Sequence, residues 1–259
     1  MSLEYDYHVH SNYSDGRQLE RMVEAAADAG LDGVGFADHC NVSEREDVRR
    51  EKYRLGFNLD RTYERRRRAI DSLAERRDLR IFDAVEMDYD PREEALVGEF
   101  LSAAAFDYAI GSVHYLEGVN VHDVPHFGEK SEDEREALVE EYFEHLRALV
   151  DSELFDVAAH VDVIERNPAL RGFATRDHYE RVAEAFARSR TVPEVNAGRI
   201  HDEYAEFHPA SAFTDVLLDR GIEFTVGSDA HAPDEVRERT PELEAAFERR
   251  GIDPVHVVE

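Results

Sequence analysis

The sequence predicts an α/β fold in which about seven strands form one parallel sheet closed into a barrel. Three observations predict it. Short apolar runs alternate with amphipathic helical stretches along nearly the whole chain. Ionisable residues recur at the ends of those runs, as expected where barrel strands converge on one rim. No linker, repeat or low-complexity tract divides the 259 residues, so residues 1–259 read as a single domain. A flat, doubly wound sheet is the alternative. The first strand–helix turn lacks GxGxxG, which counts against a dinucleotide site.

The elements follow in order. YDYHVH (5–10) reads as a strand, and 18–30 as an amphipathic helix stopped by Gly30. GVGFAD (33–38) is a short buried strand. A charged helical region covers 45–79, broken near Gly56. Its basic run, 65–68, reads as a solvated face among acids. LRIFDAVEMDY (79–89) is a strand, 91–105 a helix opened by Pro91, and 106–114 a strand. Residues 115–130 show no periodicity and read as a long functional loop. Ser131 and Glu134 form a capping box that opens a helix to 151, with Leu138, Tyr142, Leu146, Leu149 and Val150 as its apolar stripe. Strands are expected at 155–160, 191–196 and 222–231, and helices at 176–190 and 208–221. Short helices and an apolar stretch, DPVHVVE, finish the chain.

The net charge of −28 opposes nucleic acid and anionic membranes at long range. Only Lys52 and Lys130 are lysine among 31 basic residues. An acidic, lysine-poor surface suits a chain kept soluble in high salt, and a halophilic setting is the expectation. No run of eighteen apolar residues suggests a membrane span, and the charged opening does not read as a secretory leader. The lone Cys40 excludes an internal disulfide and reads as a small buried hydrophobe. A cytoplasmic location is expected.

The chemistry lies in the recurring strand ends. His8 and His10 close the first strand, His39 follows the second, and Glu86 ends the third. His114 ends the fourth, His160 the fifth, and Asp229 with His231 the seventh; Asp15 lies in the first loop. A lone histidine on an apolar strand is ordinarily a satisfied core residue. Core packing gives no reason to end strand after strand in His or Asp. The spacings His8–x–His10 and Asp229–x–His231 are expected to put each pair on one side of a strand. Imidazoles with carboxylates suit Zn, Mn or Fe(II), and nine candidates exceed one tetrahedral ion, so two or three divalent metals are expected. His122, His126, His145, His178, His201, His208 and His256 carry no such signal. Glu194 and Asn196 orient site groups or cap a strand, and Asn12 and Ser14 shape the first loop.

HVHSNYSDG, ADH, GSVH, AAHVD and GSDAH, in this order, resemble the motifs of the PHP (polymerase and histidinol phosphatase) superfamily. The segments 111–114, 142–144, 160–162, 194–196 and 227–231 are similar to the monofunctional histidinol-phosphate phosphatases. The resemblance covers residue 5 to about 240 and is least clear over 40–80. It implies a distorted (β/α)7 TIM-like barrel with a trinuclear site. One metal would be held by His8, His10, Glu86 and Asp229, a second by Asp15, His39 and His231, and a third by Glu86, His114 and His160.

The implied reaction is hydrolysis of a small phosphate monoester, L-histidinol phosphate, by a metal-bound hydroxide, with Glu86, Asp229 and His231 as the catalytic group. Arg166 and Arg199 follow strand ends and are the expected phosphate ligands. Asp38 or a water is the expected proton source for the leaving alkoxide. A superfamily enzyme acting on nucleotides or oligonucleotides is the alternative, and the charge makes nucleic acid an unlikely partner. A non-catalytic metal-binding module would predict a damaged ligand set, which the sequence does not have.

Overall fold

In the computed structural model, which describes residues 2–258, seven parallel strands follow one another in chain order around one sheet. They are β1 (Tyr5–Val9), β2 (Gly33–Phe36), β3 (Arg80–Asp88), β4 (Tyr108–Ser112), β5 (Val157–Ala158), β6 (Val192–Asn196) and β7 (Thr225–Gly227). Most are short and buried throughout, as parallel strands covered on both faces must be. The sheet is nearly closed, a distorted barrel. No ladder joins β7 to β1; they meet at one bridge, Val9 to Ala230, beyond the end of β7. There the His10 N–H donates to Ala230 O (2.9 Å) and the Asp229 N–H to His8 O (2.8 Å). Lower down, the buried Asp6 carboxylate takes the place of missing ladder bonds, accepting from the backbone N–H of His8 (3.1 Å) and Ser228 (3.0 Å). Burial pushes Asp6 up to about 6. The barrel is therefore sealed at its C-terminal rim.

The helices wrap the sheet. In α1 (Leu19–Asp28), Leu19, Met22, Val23, Ala25 and Ala26 form one buried face, and Gly30 leaves it at φ +83°. The charged region resolves into α2 (Glu46–Leu55) and α3 (Leu59–Ala74), separated at Gly56 with φ +79°. A 3₁₀ turn (Pro91–Glu93) leads into α4 (Glu94–Ala104). The segment expected to be a long functional loop contains a hairpin, Tyr115–Leu116 against Val119–Asn120, and a short helix, α5 (Val124–Gly128). Two-residue strands are too short to show alternation in sequence. Positive φ at both Glu117 and Gly118 is the turn geometry that matches strand twist.

The capping box at Ser131 and Glu134 opens α6 (Glu132–Asp151), which packs on α7 (Arg176–Phe186), and α7 packs on α8 (Ser211–Asp219). The expected short C-terminal helices are one helix, α9 (Pro233–Arg250), running through Pro241. An interior proline costs about 3 kcal/mol. Burial of Val236, Leu243, Ala246 and Phe247, on a helix packed against α1, offsets it.

The basic run of α3 is a further correction. Arg66 is not solvated: its side chain is fully buried. It donates from Nη1 to Asp38 (2.8 Å) and from Nη2 and Nε to Asp83 (2.8 and 3.1 Å). Arg67 reaches Asp83 as well, at 2.8 Å. Cys40 is buried, as expected.

Candidate metal centre

All nine side chains singled out in the sequence lie together at the rim where the barrel closes. Glu86, inside β3, is the hub. Its Oε2 lies 2.7 Å from His39 Nδ1, 3.5 Å from His8 Nε2 and 3.6 Å from His10 Nε2. Its Oε1 lies 2.9 Å from His160 Nε2 and 3.5 Å from His114 Nε2, and accepts from Ser112 Oγ at 2.5 Å. Asp229 Oδ1 is 3.3 Å from His10 Nε2, and Asp15 sits 3.4 Å from His231 Nε2 and 3.8 Å from His39 Nε2.

Strand periodicity accounts for only part of this. Asp229 and His231 lie beyond β7, in a turn where Asp229 has φ +53°, so the expected strand pairing of the two does not hold. His160 likewise follows β5 at φ +22°. Left-handed backbone at non-glycine residues costs about 1–3 kcal/mol and clusters at functional sites.

The donor chemistry fits bound cations. His8 Nδ1 lies 3.0 Å from both oxygens of the buried Glu194. A carboxylate only accepts, so Nδ1 carries the proton and Nε2 presents a lone pair. His114 Nδ1, 2.6 Å from Asp88, and His231 Nδ1, 2.9 Å from Asp229 O, are fixed the same way. These lone pairs point at carboxylates and at one another: His8 and His10 meet Nε2 to Nε2 at 3.1 Å, and His114 and His160 at 3.3 Å. Among the described residues the buried Glu86 Oε2 meets His39 Nδ1 as an ion pair but accepts no well-aligned hydrogen bond. Acceptors converging on acceptors need positive charge between them.

Three groups bring their ligand atoms within 4.8 Å of one another and could each hold an ion. They are His8, His10 and Asp229; His10, Asp15, His39 and His231; and His39, Glu86 and His114. The carboxylates and imidazoles of the cluster shift one another strongly. Burial raises Glu86, but His39, His114 and His8 outweigh it and hold it well below the usual carboxylate range. Burial and the neighbouring His231 and His39 push His10 down to about 4. Burial opposes charge on His39 too, yet Glu86 and Asp15 raise it to about 10.

Glu194 and Asn196, on β6, support this layer. Gly227 makes room for it: a Cβ there would lie 2.2 Å from Glu194 Oε2 and 2.8 Å from His8 Cβ.

A cleft of about 190 Å³ opens over the cluster, walled by Leu55 and Phe57 from the α2–α3 junction and by Tyr115, Asn120 and His122. Phe57 stacks on His39, with ring centroids 4.9 Å apart. Both expected phosphate ligands line the cleft. Arg166 is nearly buried and meets Asp229 Oδ2 at 3.3 Å. Arg199 stands on the rim, 59% exposed, paired with Asp202 at 3.1 Å.

Asp38 is not placed to supply a proton. Its oxygens accept from Ser11 N–H (2.7 Å), Ser11 Oγ (2.7 Å), Ser14 Oγ (2.8 Å) and Arg66. Burial raises its pKa, but Arg66 outweighs burial and keeps it below the usual value. It organises the first loop, together with Ser14 and with Asn12, which accepts from the Leu19 N–H at the start of α1 (2.9 Å).

Sequence reasoning missed Asp88 and His208. Asp88 shares a strand face with Glu86 at period two, a signal that could have found it. His208 had no such signal, because it lies on an irregular segment far from any predicted strand end.

The comparisons with known proteins come to the same place. The PHP domain family matches residues 6–198. A probable histidinol-phosphatase of Deinococcus radiodurans is 31% identical over 238 residues, covering 89% of this chain and 87% of the relative. The histidinol-phosphatase of Lactococcus lactis is 26% identical, covering 87% and 83%. A crystal structure of the Lactococcus lactis histidinol phosphate phosphatase, complexed with zinc, L-histidinol and phosphate, superimposes with a TM-score of 0.77 at 20% identity, covering 98% of this chain and 96% of that one. With about three quarters of its length matched by the family model and a 31% identical relative covering 89% of it, this chain belongs to the PHP domain family.

Proposed function

We propose that this chain is a divalent-metal-dependent phosphomonoesterase that hydrolyses L-histidinol phosphate to L-histidinol and phosphate. One observation carries the reading: six imidazoles and three carboxylates converge on a single cleft, with Nε2 lone pairs aimed inward and an arginine beside them. Histidinol-phosphatase relatives along most of the chain support the substrate. Bound divalent ions supply Lewis acidity and a nucleophilic water at neutral pH.

The chain's residues set the geometry. His8, His10, Glu86 and Asp229 would hold one ion, Asp15, His39 and His231 a second, and Glu86, His114 and His160 a third. Glu194 and Asp88 keep His8 and His114 in the tautomer that can ligate. Glu86 links the two halves of the cluster. Asp229 spans it and the phosphate side, with Oδ1 towards His10 and Oδ2 on Arg166. His231 closes the Asp15 side. Arg166 and Arg199 meet the phosphate oxygens.

Purified protein should release phosphate from histidinol phosphate in high salt, lose the activity to a chelator, and regain it with zinc, manganese or iron. Phosphate release from a 3′,5′-bisphosphate, or mononucleotide release from oligonucleotides, without turnover of histidinol phosphate would overturn the substrate.

The same reading takes residues 1–259 as one domain acting in a salty cytoplasm. Among the described residues no helix is long and apolar enough to cross a membrane. The acidic surface predicts unfolding on dilution below about 1 M salt, because the screening length, ~3 Å at 1 M, then grows and the surface charges repel one another. A thermal unfolding series against salt checks this; a Tm that does not fall on dilution refutes the halophilic reading.

A further inference from the structure

Arg166 is held by a buried chain of polar groups outside the proposed ligand set. Its Nε donates to His208 Nε2 at 2.8 Å, and His208 Nδ1 lies 2.5 Å from Asp162 Oδ1. The other Asp162 oxygen accepts from the Ala210 N–H at 2.7 Å. Asp162 and His208 are both fully buried. A guanidinium cannot accept a hydrogen bond, so His208 Nε2 must be the acceptor. Its single proton is then on Nδ1 and goes to Asp162. With Nε2 accepting and Nδ1 donating, the ring is neutral.

The backbone pins the ring in place. His208 exchanges both backbone hydrogen bonds with Asn196 at the end of β6, at 3.0 and 2.7 Å, and Tyr204 stacks flat on its ring at 4.8 Å. On the other side, Arg166 Nη2 donates to Asn196 Oδ1 (3.2 Å), Gly198 O (3.1 Å) and Asp229 Oδ2 (3.3 Å). A Cβ at Gly198 would come within 2.7 Å of Nη2. The Nε–Nη2 edge is thus fully engaged, and Nη1 makes no hydrogen bond or ion pair among the described residues.

We propose that His208, its tautomer set by Asp162, is a positioning residue that locks Arg166 by its Nε–Nη2 edge so that Nη1 meets the substrate phosphate. The proposal rests on the phosphomonoesterase reading. His208 touches no substrate atom; it removes the rotamer freedom Arg166 would otherwise lose on binding phosphate.

The test is a double-mutant cycle read by inhibition by inorganic phosphate, KM for histidinol phosphate, bound metal and Tm. His208→Gln can place an amide oxygen where Nε2 accepts, and should keep phosphate affinity within about threefold of wild type. His208→Asn keeps a donor to Asp162 but leaves Arg166 without its acceptor. It should weaken phosphate binding and raise KM about tenfold or more, with metal content unchanged.

In an Arg166→Ala background, His208→Asn should have no further effect on either. Asp162→Asn is a second route to the same end, because an amide cannot accept from both the Ala210 N–H and His208. Additive losses, or Gln and Asn variants that fall together in step with Tm, would overturn the proposal while wild-type turnover leaves the phosphatase reading intact. A wild type that neither turns over nor binds phosphate would overturn both.

Discussion

Glu86→Gln should lower kcat/KM for histidinol phosphate by roughly 10³-fold, the rate equivalent of about 4 kcal/mol of transition-state stabilisation. The substitution keeps the shape of the side chain and changes one oxygen to an N–H donor. That change matters because five imidazole nitrogens lie within 3.6 Å of the Glu86 oxygens. His8 and His114 already spend their protons on Glu194 and Asp88 and turn lone pairs towards Glu86. They would face a new donor, and the negative charge that balances bound cations would be lost. Metal analysis should show at least one ion fewer per chain, with the circular dichroism spectrum unchanged. A Gln variant that keeps its full metal content and more than about a tenth of its activity would show that Glu86 is not the hub.

Arg66→Met should have the largest effect on stability. The arginine is completely buried, and so is Asp38; Asp83 is nearly so. Removing the one cation that bridges the two buried carboxylates costs about 3–5 kcal/mol, since Asp38 is left with no cationic partner while Asp83 keeps only Arg67. For a chain of this size each kcal/mol moves Tm by ~2–4 °C, so a fall of roughly 10 °C is expected in constant salt. Activity should fall with it, because Asp38 holds Ser11 and Ser14, and that loop carries Asp15. Arg66→Lys should lose less, since an ammonium can still reach one of the two carboxylates. A Met variant within 2 °C of wild type would mean that Asp38 and Asp83 find other compensation.

The barrel was legible because its strands announce themselves. VGF in β2 is an unbroken apolar run, and β3 is apolar from Ala84 to Met87 save for Glu86, a pattern that a strand covered on both faces produces. The helices were legible where burial and caps coincide, as at Ser131 and Glu134 before α6. They were misread where tertiary burial overrode a local signal: Pro241 does not break α9, and Arg66 does not face water. A helix wheel cannot show that a charged position faces two aspartates contributed by other elements.

The site divides along the same line. Which residue types stand at the strand ends is written in the chain, because alternation and strand length are local properties; His8, His10, His39, Glu86 and His114 were found that way. Local patterns do not say which carboxylate meets which imidazole. The Glu194 contact that sets the His8 tautomer joins residues 186 positions apart, and the Asp162–His208–Arg166 chain crosses from β5 to the segment that folds back on β6. Only closure of the sheet decides these pairings, because hydrogen bonds and lone pairs act over about 3 Å and the distance between two residues in sequence places no limit on their distance in space.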